Sequence, residues 1–116
     1  MFGRVSKREA REAFEDVVLF FNLLGHLEVY INQRVKRDAR DFALHARDEL
    51  DKLYYGHYAI SETTYKEIYQ KLTDCADVIY DEQWYVAMDI FSEIILSTDK
   101  LKDEVLDYLY EHRYQK

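Results

Sequence analysis

Proline is absent from this 116-residue chain, glycine occurs three times and cysteine once. Proline and glycine are the strongest interrupters of a helix, so their scarcity predicts a chain that is helical throughout. Gly3, Gly25 and Gly56 stand apart from one another, which excludes a glycine-rich phosphate loop and mononucleotide binding by that device. A lone Cys75 can form neither an internal disulfide nor a zinc-type cysteine pair. It reads as a small core residue in a reducing compartment, so a cytoplasmic location is expected. No apolar run approaches the ~18 residues of a membrane span. The opening stretch 1-MFGRVSKREAREAF-14 is charged throughout and lacks the apolar segment of a secretory signal. Glu-x-x-His does not occur, which excludes the ligand pattern of a di-iron bundle. No cofactor and no metal is expected.

What is present suits one globular domain spanning 1–116. Hydrophobic residues make up 48% and charged residues 34%, enough of the first to build a core and enough of the second to solvate its outside. Tyrosine is common, with eleven copies, and its amphipathic ring suits domain edges and interfaces. The net charge of −7 is unevenly spread. Residues 1–47 hold nine Lys/Arg against seven Asp/Glu, whereas residues 48–116 hold seven against sixteen. An acidic chain is a poor nucleic-acid binder. The acidic half suits either a basic partner or plain solvation.

Hydrophobic spacing divides the chain into amphipathic helices. Ser6 with Glu9 forms a capping box that starts the first near Lys7. Phe14, Val17, Val18, Phe21 and Leu24 give it an apolar stripe, and Gly25 is placed to end it. Leu27, Ile31, Val35, Ala39, Phe42, Ala43, Ala46, Leu50 and Leu53 then recur at helical spacing up to Gly56. They fit one long helix or two with a bend between Asn32 and Arg37. After the loop 56-GHYAISET-63, Ser61 caps a third helix carrying Tyr65, Ile68, Tyr69, Leu72, Cys75, Ala76 and Ile79. Asp81 and Glu82 mark a break. A fourth helix carries Trp84, Ala87, Ile90, Phe91, Ile94 and Ile95, and Thr98 is placed to cap a fifth with Leu101, Val105, Leu106 and Leu109. The expectation is an all-α, single-domain antiparallel bundle of about five helices. Trp84, three residues before Ala87 and seven before Phe91, is expected to be mostly buried against the third helix.

Few residues carry chemistry. Arg40 and His45 match the Arg-x4-His spacing of a family of small helical ribonucleases. Five residues along a helix turn the side chains about 140° apart, so a productive pair needs local distortion or a second subunit. His45 and Glu49, four residues apart, suit a half-exposed ion pair rather than a metal site. The basic run 34-RVKRDAR-40 is short and interrupted by Asp38, a weak nucleic-acid signal. Asp103, Glu104, Asp107 and Glu111 share one helix face that could occupy a basic channel of a partner, as an inhibitor protein would.

Four pieces of the chain together resemble a known helical domain. These are Phe14-Glu15-Asp16-Val17, Lys36-Arg37 leading into 46-ARDELDKLY-54, the short loop to Ser61, and 72-LTDCADVIYDEQWYVAMDIFSEIILST-98. The last holds the most recognisable pattern: a leucine-rich helix end, a short turn, an aromatic residue, a small residue three later, and a Ser-Thr close. This is similar to the C-terminal domain of the outer-cage subunit of the COPII vesicle coat, shared with the steroid receptor RNA activator protein. The likeness covers roughly residues 14 to 110. Glu62 stands where that family usually has proline, and the gap from Ser61 to Trp84 is about a helical turn longer. The resemblance implies a non-catalytic scaffolding domain that binds protein partners in coat assembly. The residues themselves carry no catalytic constellation beyond the Arg40/His45 spacing, and they leave oligomerisation open.

Overall fold

A computed structural model describes residues 7–113, and every regular element among them is helical. Helix α1 spans Lys7–Gln33, α2 Lys36–Asp51, α3 Glu62–Tyr80 and α4 Trp84–Arg113. A single π-helical turn, Lys52–Gly56, continues the end of α2. Each helix packs on the next, and α1 against α4 closes the ring. The chain is therefore an all-α antiparallel bundle of four helices, 50 × 22 × 18 Å.

The core is filled by Phe20, Leu24 and Leu27 of α1, Leu50 of α2, Leu53 of the π turn, Ile68, Leu72 and Ile79 of α3, and Phe91, Ile94 and Leu101 of α4. Between these large groups, α2 presents Ala39, Ala43 and Ala46, all fully buried. Small side chains let the α2 backbone lie close to both neighbours, while the large ones fill the grooves beside it.

The α1–α2 and α3–α4 corners are built without glycine. Arg34 takes a left-handed φ of 58°, and the N–H groups of Arg34 and Val35 donate to the carbonyls of Ile31 and Tyr30. Glu82 repeats the arrangement at φ 58°, with Glu82 and Gln83 donating to Ile79 and Val78. Both are helix stops in which the left-handed residue closes the last carbonyls, a place usually given to glycine. The break between Asn32 and Arg37 therefore falls at Arg34–Val35, and the break at Asp81–Glu82 lies where the sequence places it.

Four expected features come out differently. The first helix does not end at Gly25: it runs on to Gln33 and takes in Leu27 and Ile31. Buried Leu24 and Leu27 hold that turn in place, which outweighs the ~1 kcal/mol cost of a helical glycine. No fifth helix begins at Thr98. Its hydroxyl instead donates to the Ile95 carbonyl at 2.5 Å within an unbroken α4, and the side chain is buried. The apolar stripe on α1 is also rotated. The core face is Ala13, Phe20, Leu24, Leu27 and Ile31, while Phe14 and Val18 are exposed. On α4, Ile95 and Leu106 are likewise exposed, although their spacing placed them inside. The Ser6 cap lies outside the described residues.

At the opposite end from these two corners, the α2–α3 loop, where Tyr58 also takes a left-handed φ of 53°, is held from both sides. His57 Nε2 lies 2.7 Å from Asp16 Oδ2 on α1. Ser61 caps α3 as expected, accepting from the Thr64 N–H at 3.2 Å. Glu104 of α4 completes the cap. Its carboxylate accepts from the Ser61 N–H, the Ser61 hydroxyl and the buried Thr64 hydroxyl. A carboxylate at a helix N-terminus satisfies free donors and complements the helix dipole. Glu104 is therefore spent inside the fold, and the acidic face expected from residues 103 to 111 is not continuous. Glu104→Ala, which strands the Thr64 hydroxyl and part of the cap, is expected to destabilise the bundle by about 1–3 kcal/mol in urea unfolding. Glu93→Ala, at an exposed position of the same helix, should change it little.

Candidate functional site

The residues with distinctive chemistry converge at the end of the bundle that carries the Arg34 and Glu82 corners. There the α1–α2 turn lies beside the α3–α4 turn. Lys36 Nζ sits 4.5 Å from the centre of the Tyr80 ring, and the Arg40 guanidinium carbon sits 5.6 Å from the same ring. Arg34 lies over Tyr85 at 5.7 Å. A cation over an aromatic face gains roughly 0.5–1 kcal/mol at an exposed site, so three such contacts hold the corner together without closing it off. Both tyrosines remain open to solvent, Tyr80 at 60% and Tyr85 at 80%.

Two shallow clefts flank these contacts. One, of about 280 Å³, is lined by Arg40, Asp77, Tyr80 and Asp81. The other, of about 270 Å³, is lined by Arg34, Glu82, Gln83, Trp84, Tyr85 and Val86. Trp84 packs against the core margin and is mostly buried, as its spacing implied. The lining mixes cations and carboxylates, so the end presents no net cationic track for a phosphate backbone. It does present Tyr, Trp and Arg together, the side chains most enriched at the energetic centres of protein interfaces.

The other candidate residues are dispersed. Arg40 turns toward α3, and its Nε is buried with no hydrogen-bond partner. His45 is exposed and lies edge-on to Phe42 at 6.3 Å. Phe42 in turn stacks on His26 and Tyr30 of α1. The two residues of the ribonuclease spacing thus belong to different faces of a regular α2, and one chain does not bring them together. The expected His45–Glu49 pair does not form. Glu49 is buried and bonds Lys52 Nζ at 2.9 Å, and this contact raises the Lys52 ammonium above its ordinary range. Among the described residues, no group of three or more His, Cys, Asp or Glu is placed to hold a metal ion. No helix there is long and apolar enough to cross a membrane.

A second aromatic cluster lies at the other end. Tyr54 stacks on Tyr65 at 4.4 Å, with Tyr55 and Tyr69 around them. The Tyr65 hydroxyl donates to Asp51 Oδ1 at 2.5 Å, and burial with this bond pushes its phenol well above the usual range. Arg47 lies over Tyr69 and donates to Thr73, joining α2 to α3. These tyrosines are mortar between elements. Tyr55 is as exposed as Tyr80, so what sets Tyr80 and Tyr85 apart is that each is an exposed ring with a cation over its face, and sequence reasoning passed over both. The signal was there in retrospect: they bracket the Asp81–Glu82 break, so whichever way the chain turns, they end up at a corner.

Comparison with known proteins returns no matching family model, no matching curated protein and no matching solved structure.

Cys75, the one thiol, is buried, and its Sγ lies 3.8 Å from the Ala87 carbonyl. Burial pushes the thiol up to about 12. The thiolate is the reactive form, so Cys75 is inert in the native protein. Folding raises this pKa, so the unfolded chain releases its proton first. The contribution is fully present below pH 9.0 and is lost as pH rises from there toward 12. Iodoacetamide at pH 8 is expected to leave Cys75 unmodified in the folded chain and to alkylate it in denaturant, read by mass spectrometry.

Proposed function

We propose that this chain is a non-catalytic helical interaction module that engages a protein partner through its Arg34–Tyr80–Tyr85 end. The observation that carries the reading is the uncovered pair of tyrosines, each stacked under cations of α1–α2 and flanked by a shallow cleft. Rings held in place by their neighbours lose little conformational freedom on binding, so more of the contact energy appears as affinity. The mixed charge of the rim gives a partner both signs to match. The resemblance to the coat-cage domain gives this reading its specific form, a scaffolding role in vesicle-coat assembly. That form rests on the sequence pattern.

The alternatives have less support. A ribonuclease would need a second copy to bring Arg40 to His45. An acidic inhibitor would need a continuous acidic face, and Glu104 is turned inward. The test is quantitative capture of partners by the intact chain and by Tyr85→Ala and Arg34→Ala variants, with circular dichroism as the control on folding. A partner whose binding falls ~10-fold or more on either change, with the helices intact, is the expected result. Partners retained equally by both variants would remove this end as the binding surface, and RNA cleavage abolished by His45→Ala would overturn the non-catalytic reading.

A further inference from the structure

The bundle carries a second, unrelated surface along the α1–α4 seam. Lys102 of α4 lies 5.0 Å over the Phe21 ring of α1, which fixes where the seam runs. From Phe21, helical spacing carries the same flank back to Val18 and Phe14 and on to Gly25 and Val29. Phe14, Val18 and Val29 are exposed, Phe14 at 53%. From Lys102 the matching flank of α4 carries Ile95, Leu106 and Tyr110, also exposed, Leu106 at 62%. A cleft of about 340 Å³ opens among Leu106, Asp107, Leu109 and Tyr110. The exposed residues Phe14, Val18, Ile95 and Leu106 are those whose spacing reads as core. Gly25, also exposed, adds an independent sign. A Cβ built there meets nothing within 4 Å, so no contact inside the chain explains a glycine in the middle of α1. A bare helical backbone at that point permits close approach from outside.

We infer that this face is the interface of a symmetric homodimer, in which α1 of each copy packs against α4 of the other. Charge selects a second copy as the occupant. The α1 stripe begins with Lys7 and Arg11, both exposed, and Asp103 and Asp107, both exposed, lie on the outward side of α4 beside its flank. Because α1 and α4 are antiparallel, these two sets lie at the same end of the bundle. A two-fold axis parallel to the bundle sets α1 antiparallel to the partner's α4, with the cations of each facing the carboxylates of the other. Such a contact is isologous and closes on itself. Two helices side by side, about 40 Å long and 20 Å wide, offer roughly 800 Å² per copy, the area of a standard stable interface.

Sedimentation equilibrium on the full chain, at concentrations up to ~100 μM, is expected to show a dimer. Gly25→Lys is the cleanest disruption, because the monomer has open space for the side chain; it should weaken the dimer ~100-fold or more with helicity unchanged. Val18→Glu should act alike. Lys7→Glu with Arg11→Glu should weaken it too, and adding Asp103→Lys with Asp107→Lys should restore it, which would establish the α1-to-α4 pairing. A monomeric wild type, a dimer indifferent to Gly25→Lys, or a monomer that takes up a different protein on this face would each overturn the inference. None of these outcomes bears on the Arg–Tyr end, which the seam does not include.

Discussion

The arrangement depends on the alanines of α2. Ala39, Ala43 and Ala46 make up most of its buried face, and side chains this small permit α2 a closer approach to α1 and α3 than leucines would. That closeness shapes what its flanks do. Phe42 on one side reaches the rings of His26 and Tyr30 of α1, and Arg40 and Arg47 on the other reach Tyr80 and Tyr69 of α3. A bulkier seam would push α2 outward and draw these contacts apart. Packing in the core and presentation at the bundle end are therefore one constraint. Tyr80 is aimed because α2, which supplies its cations, is held close, while Tyr85 meets Arg34 of the preceding turn.

The same constraint explains why the corners tolerate strain. Arg34 and Glu82 occupy left-handed backbone at a cost of about 1–2 kcal/mol each relative to ordinary helix. A glycine would relieve the backbone at Arg34 and remove the guanidinium that covers Tyr85. The corner residue is thus both the stop of α1 and a contact of the candidate site. Glu82 has the same double place, ending α3 and lining the cleft beside Trp84.

Features set by a few adjacent residues were legible in the sequence. Ser61 is followed by a threonine three positions on, and its cap is there. Asp81 and Glu82 break the chain where local polarity says they should. What failed was settled by distant partners. Gly25 reads as a terminator until Leu24 and Leu27 are both buried against the rest of the bundle. Thr98 reads as a cap until its hydroxyl is satisfied by Ile95 inside a helix already docked. The acidic run 103 to 111 reads as one surface until Glu104 meets Ser61, about forty positions earlier. The candidate site was legible only in fragments. Arg40 and Trp84 stand out as residue types, but nothing local pairs Arg34 with Tyr85 or Arg40 with Tyr80. Those pairings follow from the up-and-down order of four helices, which places the first and third turns side by side.

The misplaced stripes have a different origin. Phe14, Val18, Ile95 and Leu106 follow core spacing, yet all four are exposed. With a two-fold axis parallel to the bundle, they would enter a second core between two chains. The first and third turns of both copies then point the same way. The Arg34–Tyr80–Tyr85 ends would stand side by side on one end of the dimer, so a partner with two matching epitopes would bind the second as an intramolecular step, with avidity no single end could supply. Helix α2, on the far side of α1 from the seam, would stay in the outer layer of each copy. Arg40 and His45 of different chains would remain apart, so the dimer that completes the scaffold would not assemble a nuclease pair.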